Sequence, residues 1–338
     1  MDTFTARSTV DLLAAVPFLI GFHPEDSVVL MTFDNGLPPR AQCFHARVDL
    51  PVTAAGQVEV AAMLRGVVAR NRAATVGLIL YTQDAAAAGF LADLLITGLL
   101  DDEVEVIEAI RADGDCFFVV DDPDDPGTPY DLSTHPFTAS QVLRGKVAHP
   151  SRAALADSLV GTDEEDTAAI ASAATVAADE LLARIGSGDQ VQVLLVEQAR
   201  WVHTTVARLL VEPAAPTPSE AARLLVLLSF EPIREVAWTE MTRAAAASHV
   251  RLWTGLVRRA PADLRSAVAG ILALSAWLAG DGALAWCALD RAAEADPDDP
   301  LAQQVAALLE SATPPSVWVP TPATELTVLG ATGSSEGS

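Results

Sequence analysis

The chain has 338 residues, is 51% hydrophobic, and carries a formal charge of −24 with a pI near 4.4. That length has room for two domains, while the acidity excludes a general nucleic-acid binder, which needs a basic face against phosphates, and disfavours an anionic membrane surface. Cys43, Cys116 and Cys287 are too few and too scattered for a disulfide scaffold or a CxxC metal knuckle, so a reducing cytoplasm is the expected compartment.

Met1-Asp2-Thr3-Phe4 offers neither a basic n-region nor an apolar h-region of a signal peptide. Apolar stretches are broken by charges well short of the ~18 residues of a membrane span. Ser8, with Asp11 three residues on, caps a short apolar helix that runs into Pro17. The link Gly21-Phe22-His23-Pro24-Glu25-Asp26 follows, and then Ser27 to Phe33, apolar throughout. A strand without polar alternation is covered on both faces, so this one belongs in the centre of a sheet.

The chain turns through Asp34–Pro39 into Gln42 to Leu50, which alternates. Phe44, Ala46, Val48 and Leu50 point one way, and Cys43, His45, Arg47 and Asp49 the other, as in a half-buried strand paired antiparallel with the first. Val60, Met63, Leu64, Val67 and Val68 give a helix from about Gln57 to Arg72 one apolar stripe. Thr75 to Thr82 is a second fully apolar strand, followed by a helix over Ala85–Leu100, a strand over Glu103–Ile110, a turn at Ala112-Asp113-Gly114 and a strand over Cys116–Val120.

The order β-β-α-β-α-β-β predicts an α/β domain over residues 1–150, with a mixed sheet of about five strands and helices packed on it. The second, third and fourth strands should run parallel, with the first and fifth antiparallel. Ligands of open α/β sheets bind beyond the carboxyl ends of the parallel strands. The expected ligand-binding residues are therefore His23, Glu25 and Asp26 of the link, Asp49 at the second strand's exit, and Thr82 and Asp84 at the third's. Carboxylates with an imidazole suit Mg²⁺, Mn²⁺ or Zn²⁺, and His23 and Asp26 are the ligands if a metal binds. The same residues also suit a plain turn, in which Pro24 fixes the backbone and Asp26 and Ser27 satisfy amides.

Asp121 to Tyr130 is a Pro/Gly/Asp loop expected at the opposite sheet edge, and Thr138 opens a helix with Gln141 in capping-box register. Tyr130, Asp131 and His135 lie on a long loop, where functional groups often gather. Cys43 and His45 share a strand face, either as two ligands or as part of a partly covered strand. Asp121, Asp122, Asp124 and Asp125, like Asp296, Asp298 and Asp299, lack EF-hand register and read as solvated turns.

From 151 to 312 the sequence reads as an all-helical domain, with Ala/Leu-rich segments near Ser151–Leu159, Asp163–Ile185, Gln190–Val211, Ser219–Ser229 and Pro232–Ala247, and further ones near His249–Arg259, Ala262–Ala279, Gly282–Ala295 and Pro300–Glu310. Thr162 with Glu165, and Thr217 with Glu220, are expected caps. Trp238, Trp253, Trp277 and Trp286 read as core, and Trp318 as a docking residue in a Pro-rich stretch. Residues 313–338 form a Pro-rich then Gly/Ser-rich tail, expected to be disordered from about Ala323.

The strings LLAAVPFLIGFHPEDSVVLM, GTPYDLSTHP, SRAALADSL and HVRLWTGLVRRAP resemble an actinobacterial family known as domain of unknown function 4192, over most of residues 8 to 318. The resemblance implies no activity. Family members often show a paired cysteine where this chain has Asp121 to Pro126, so any metal or redox role of that pair is missing here. Ala273, Gly280, Ala285, Leu289, Ala292 and Pro297 fall at the spacings of one tetratricopeptide repeat, so residues 265–298 resemble one such helical hairpin.

No GxSxG elbow, P-loop, GxGxxG, HExxH or kinase set occurs, which removes the common nucleotide-binding and serine-hydrolase readings. The expected function is that of a non-enzymatic interaction or regulatory protein whose helical half holds a protein partner or a second copy. The alternative is a metal-dependent hydrolase or small-ligand sensor at the sheet edge. No cofactor, nucleic acid or membrane is expected.

Overall fold

A computed structural model describes residues 6–33, 44–120, 122, 124–187, 190–212 and 214–330. The expected turn at Asp34–Pro39, Cys43, Asp121 and the last eight residues lie outside that set. The chain divides into two compact units, Met1–Ala154 and Leu155–Ser338.

The first unit is α/β. Its elements are α1 (Thr9–Ile20), β1 (Ser27–Thr32), β2 (His45–Asp49), α2 (Ala54–Arg70), β3 (Thr75–Tyr81), α3 (Ala85–Asp101), β4 (Glu105–Ala112), β5 (Cys116–Val119), β6 (Thr128–Pro129) and α4 (Pro136–Leu143). The strands form one mixed sheet in the order β2-β1-β3-β4-β5-β6. The sequence missed β6, which is only two residues long and has no periodicity to show. β1 pairs antiparallel with both β2 and β3, and β3 pairs parallel with β4. So β2, β3 and β4 share a direction as expected, but β2 and β3 are not neighbours: β1 lies between them.

β1 and β3 are buried along their whole length, as unbroken apolar runs require. Val28, Leu30, Val76, Leu78 and Leu80 pack on one face against Leu64 and Val68 of α2 and Leu91, Leu95 and Leu99 of α3. On the other face α1 is tied to the sheet by the Thr9 hydroxyl, which donates to Glu108 at 2.8 Å. Contrary to expectation, α1 does not stop at Pro17. Its side chains from Leu12 to Pro17 are all buried, and that burial outweighs the one backbone bond the proline removes; the helix ends at Gly21, whose φ of 82° few other residues adopt. α4 starts two residues before the expected Thr138: His135 caps it and Pro136 takes the first turn.

α5 (Arg152–Asp157) crosses the division between the units. The second unit holds α6 (Glu164–Gly186), α7 (Val191–Val211), α8 (Pro218–Leu228), α9 (Glu231–Arg234), α10 (Ala246–Arg259), α11 (Arg265–Ala279), α12 (Gly282–Ala293), α13 (Pro300–Glu310) and α14 (Thr327–Gly330). α11 buries every residue from Ser266 to Leu278, and α8, α10, α12 and α13 pack against it. The run Ala262–Ala279 is long and apolar enough to cross a membrane, but it is 72% buried inside this unit.

The Thr217–Glu220 capping box of α8 forms as expected, whereas α6 is capped by Asp163 instead of Thr162. The helix expected over Pro232–Ala247 is broken after Ala237. The tail, expected to be disordered from Ala323, is ordered through 330 and buries Ala323, Leu326 and Val328. Asp299, expected in a solvated turn, is buried: it pairs with the equally buried Arg234 and caps α13.

Candidate functional site

Because Ser27 stands opposite both Asp49 and Tyr81, the start of β1 lies at the carboxyl ends of β2 and β3. The link before β1 therefore reaches the edge that the sequence indicated. Asp26 turns the chain there with φ 36°, a left-handed conformation that aspartate tolerates better than most residues. Its carbonyl accepts from Leu50 N–H at 2.7 Å and its Oδ1 accepts from the Thr82 hydroxyl at 2.9 Å. Thr82 Oγ1 in turn accepts from Asp84 N–H at 3.2 Å, and Asp84 Oδ1 caps α3 by accepting from Ala87 N–H at 2.9 Å.

Asp26, Thr82 and Asp84 thus form one hydrogen-bonded chain. Asp49 stands beside it, its carboxylate 2.5 Å from Arg47 Nη1 and largely in solvent. Glu25 contributes its carbonyl, which accepts from Arg47 Nη2 at 3.4 Å. His23 is exposed and is held through its backbone: its N–H donates to His149 O at 2.9 Å, and His149 N–H donates to Gly21 O at 2.8 Å. Partial loss of hydration lowers the His23 pKa from its ordinary 6.5.

The three loop residues do structural work. Tyr130 N–H donates to Asp115 O, and burial raises the Tyr130 phenol above its ordinary pKa. Asp131 accepts from Ser133 N–H at 2.8 Å, closing a turn. His135 accepts from Phe137 N–H through Nδ1 at 3.2 Å, and its Nε2 lies 3.1 Å from Asp11 Oδ1, which joins α4 to α1. Of the pair Cys43 and His45, only His45 is described, and burial lowers its pKa while a bond to the Leu19 backbone opposes that shift. Among the described residues no three of His, Cys, Asp and Glu are gathered so that they could hold a metal ion.

Three groups at this edge were not among the expected ligand-binding residues, and Ser27, expected to satisfy an amide with its side chain, does not do so. Ser27 Oγ, Arg47 Nε and Tyr81 OH are buried without a hydrogen-bond partner. Ser27 and Tyr81 face each other across the β1–β3 pair, and Arg47 lies on the same sheet face opposite Val29. Burial pushes the Tyr81 phenol well above its ordinary pKa of 10. A signal for them existed: Ser27 begins and Tyr81 ends the two otherwise apolar central strands. Only the register brings them together.

Fold and edge together define a two-unit protein, a mixed-sheet α/β unit followed by an all-helical one, with a polar strand-exit edge whose acids are engaged in holding the chain. The chain belongs to the family described as Domain of unknown function (DUF4192), which matches residues 10–316. No curated protein and no solved structure matches it.

Proposed function

We propose that this is a non-enzymatic, cytoplasmic regulatory protein that works by self-association through its helical unit. The observation that carries this reading is α6, a helix of 23 residues that buries only Ile170 and Ala174. Helices of this kind owe most of their stability to packing of an apolar face, and α6 has apolar surface left over. Beside it a groove of about 300 Å³ has Leu181, Val226 and Leu227 in its lining. Ile185, one turn beyond Leu181, is 41% exposed, and Val193, one turn before Glu197 of the groove, is 59% exposed.

The groove's lining carries both signs, Arg184 and Arg223 with Glu180 and Glu197. Arg184 and Glu197 already neutralise each other through two bonds of 2.8 Å, so a two-fold axis that sets this patch against its own image brings no unpaired charge of one sign together there. On a chain of net charge −24 such a patch is where two copies meet with least repulsion. The α11–α12 pair, with Ala273, Ala285, Ala288 and Ala292 buried, further supports the tetratricopeptide-like reading of a helical protein-binding scaffold. The hydrolase reading loses support because Asp26, Asp49 and Asp84 already have partners.

Light scattering on the native chain and on an Ile185→Glu/Val193→Glu variant tests the proposal. The native chain should weigh twice 35.4 kDa and the variant 35.4 kDa. A single-chain mass for both, even with another protein retained from lysate, overturns self-association.

The buried, unpartnered Ser27, Arg47 and Tyr81 atoms favour a second reading, a small-ligand sensor at the sheet edge, since a buried polar group without a partner calls for one. Thermal shift against divalent metals, nucleotides and small anions should then find a stabilising ligand whose effect is lost in Ser27→Ala. No shift with any of them would remove this reading.

A further inference from the structure

The helical run that the sequence expects over Pro232–Ala247 gives way to turns around Trp238 to Met241, and the freed backbone groups are used. Thr239 O accepts from Thr321 N–H at 2.8 Å, and Met241 O accepts from the Trp318 indole Nε1–H at 2.8 Å. The Trp318 ring lies against Trp238, with centroids 5.8 Å apart and planes tilted by 45°. Between these contacts Glu240 accepts from Ala323 N–H through Oε1 at 2.9 Å, while its Oε2 lies 2.7 Å from His203 Nε2. Trp238 to Met241 is thus a ledge of outward-facing acceptors with an aromatic wall.

What sits on the ledge is a proline-rich segment. Pro314, Trp318 and Pro322 are extended, with φ/ψ of −72°/143°, −69°/126° and −58°/139°, and they flank two one-turn 3₁₀ helices, Pro315–Val317 and Ala323–Glu325. Its prolines fix φ along the chain, so the segment loses little entropy on docking against an aromatic wall. Only one side of this one is engaged: Val317 and Val319, flanking Trp318, are 57% and 77% exposed. One donor on the ledge is left over, since the Thr239 hydroxyl is buried with no partner while its residue is 5% exposed. The family match ends at 316, so the ledge lies inside it and Trp318 to Ala323 beyond it.

We propose that Trp238–Met241 and His203 form a docking site for a tryptophan-bearing, proline-rich segment, and that the chain's own residues 314–323 are its resident and exchangeable occupant. Trp318 is the anchor, and Thr321 and Ala323 supply the backbone donors that set the direction. A segment of the same chemistry from another chain competes with the tail for the ledge. The inference uses residues other than those of the α6 groove, so it stands or falls separately from self-association.

The test uses the full chain and a labelled synthetic peptide of residues 312–326. Trp318→Ala/Ala323→Pro removes the anchor and one donor from the resident tail but leaves the ledge intact. The peptide should bind this variant at least about tenfold more tightly than it binds the native chain, because the native ledge is occupied. Adding Glu240→Gln should weaken that binding. Equal binding to native and variant chains, or no binding to a variant that circular dichroism shows to be folded, overturns the proposal. Hydrogen exchange on the native chain gives an independent check if the variant does not fold. Thr321 and Ala323 amides should exchange at least about a hundredfold faster than amides within α11, as a locally opening segment does. Exchange of both at the rate of the α11 amides contradicts an exchangeable tail.

Discussion

Tyr81 carries a hydroxyl that is buried at the exit of β3 and has no partner. Leaving such a group unsatisfied costs about 1–3 kcal/mol. Tyr81→Phe keeps the ring and deletes the hydroxyl, so in the absence of ligand it should raise unfolding stability by about 1 kcal/mol in a urea titration. A loss of stability would mean that the hydroxyl is engaged. His249 gives a second residue-scale expectation. It is 5% exposed, its Nδ1 accepts from Trp253 Nε1–H at 3.2 Å, and burial lowers its pKa to about 4. The unfolded chain takes up this proton near pH 6.5 and the folded chain only near 4. Stability from this group is therefore full above pH 6.5 and is lost as the pH falls from there to 4, in total about 3 kcal/mol. His249→Gln keeps an acceptor for Trp253 and should flatten the pH dependence by that amount in this window; an unchanged slope would refute the assignment. Neither residue stands out in the sequence. A lone histidine four residues before a tryptophan shows its hydrogen bond only once the helix is formed and buried.

Elements were legible where one physical cause dominates. β1 and β3 read correctly because a run without polar residues has nowhere to go but the middle of a sheet. The Thr217–Glu220 box read correctly because capping is local. Where a distant partner decides, the sequence misled. The break after Ala237 is made good by hydrogen bonds from Thr321 and Trp318, some eighty residues away, and no window of sequence contains both. Trp318 was expected to be a docking residue for a partner, and the structure shows its indole bonded to Met241 O and its ring against Trp238 of the same chain. Asp299 is the same kind of case. It looked like one acid of a solvated Asp-Pro-Asp-Asp turn, yet it pairs with Arg234 of α9 and its Oδ1 caps α13 at 3.0 Å. Removing one member of a buried pair strands the other charge, so Asp299→Ala should cost about 3–5 kcal/mol, while Arg234→Met/Asp299→Ala should cost less than that single change. A double variant less stable than the single would show that the pair itself, not the stranded arginine, holds α9 to α13.

At the scale of the whole molecule, the edge of the sheet was placed correctly from strand direction alone, since the link before β1 does meet the exits of β2 and β3. Its use was not legible there. The acids that looked free for chemistry are spent on a hydroxyl, a guanidinium and a helix cap, and the groups left without partners are a serine, an arginine and a tyrosine that composition does not single out. The helical unit, by contrast, leaves apolar surface along α6 beside a groove of mixed charge. On an acidic chain, salt should act in a definite direction. Screening weakens the repulsion between two bodies of net charge −24, and the apolar contact is unaffected or strengthened. Sedimentation equilibrium of the native full-length chain over a range of concentration and salt is the most direct measurement. The account predicts a monomer–dimer equilibrium with a limiting mass of twice 35.4 kDa, shifted towards dimer by added salt. A mass of 35.4 kDa at every concentration and salt would contradict it.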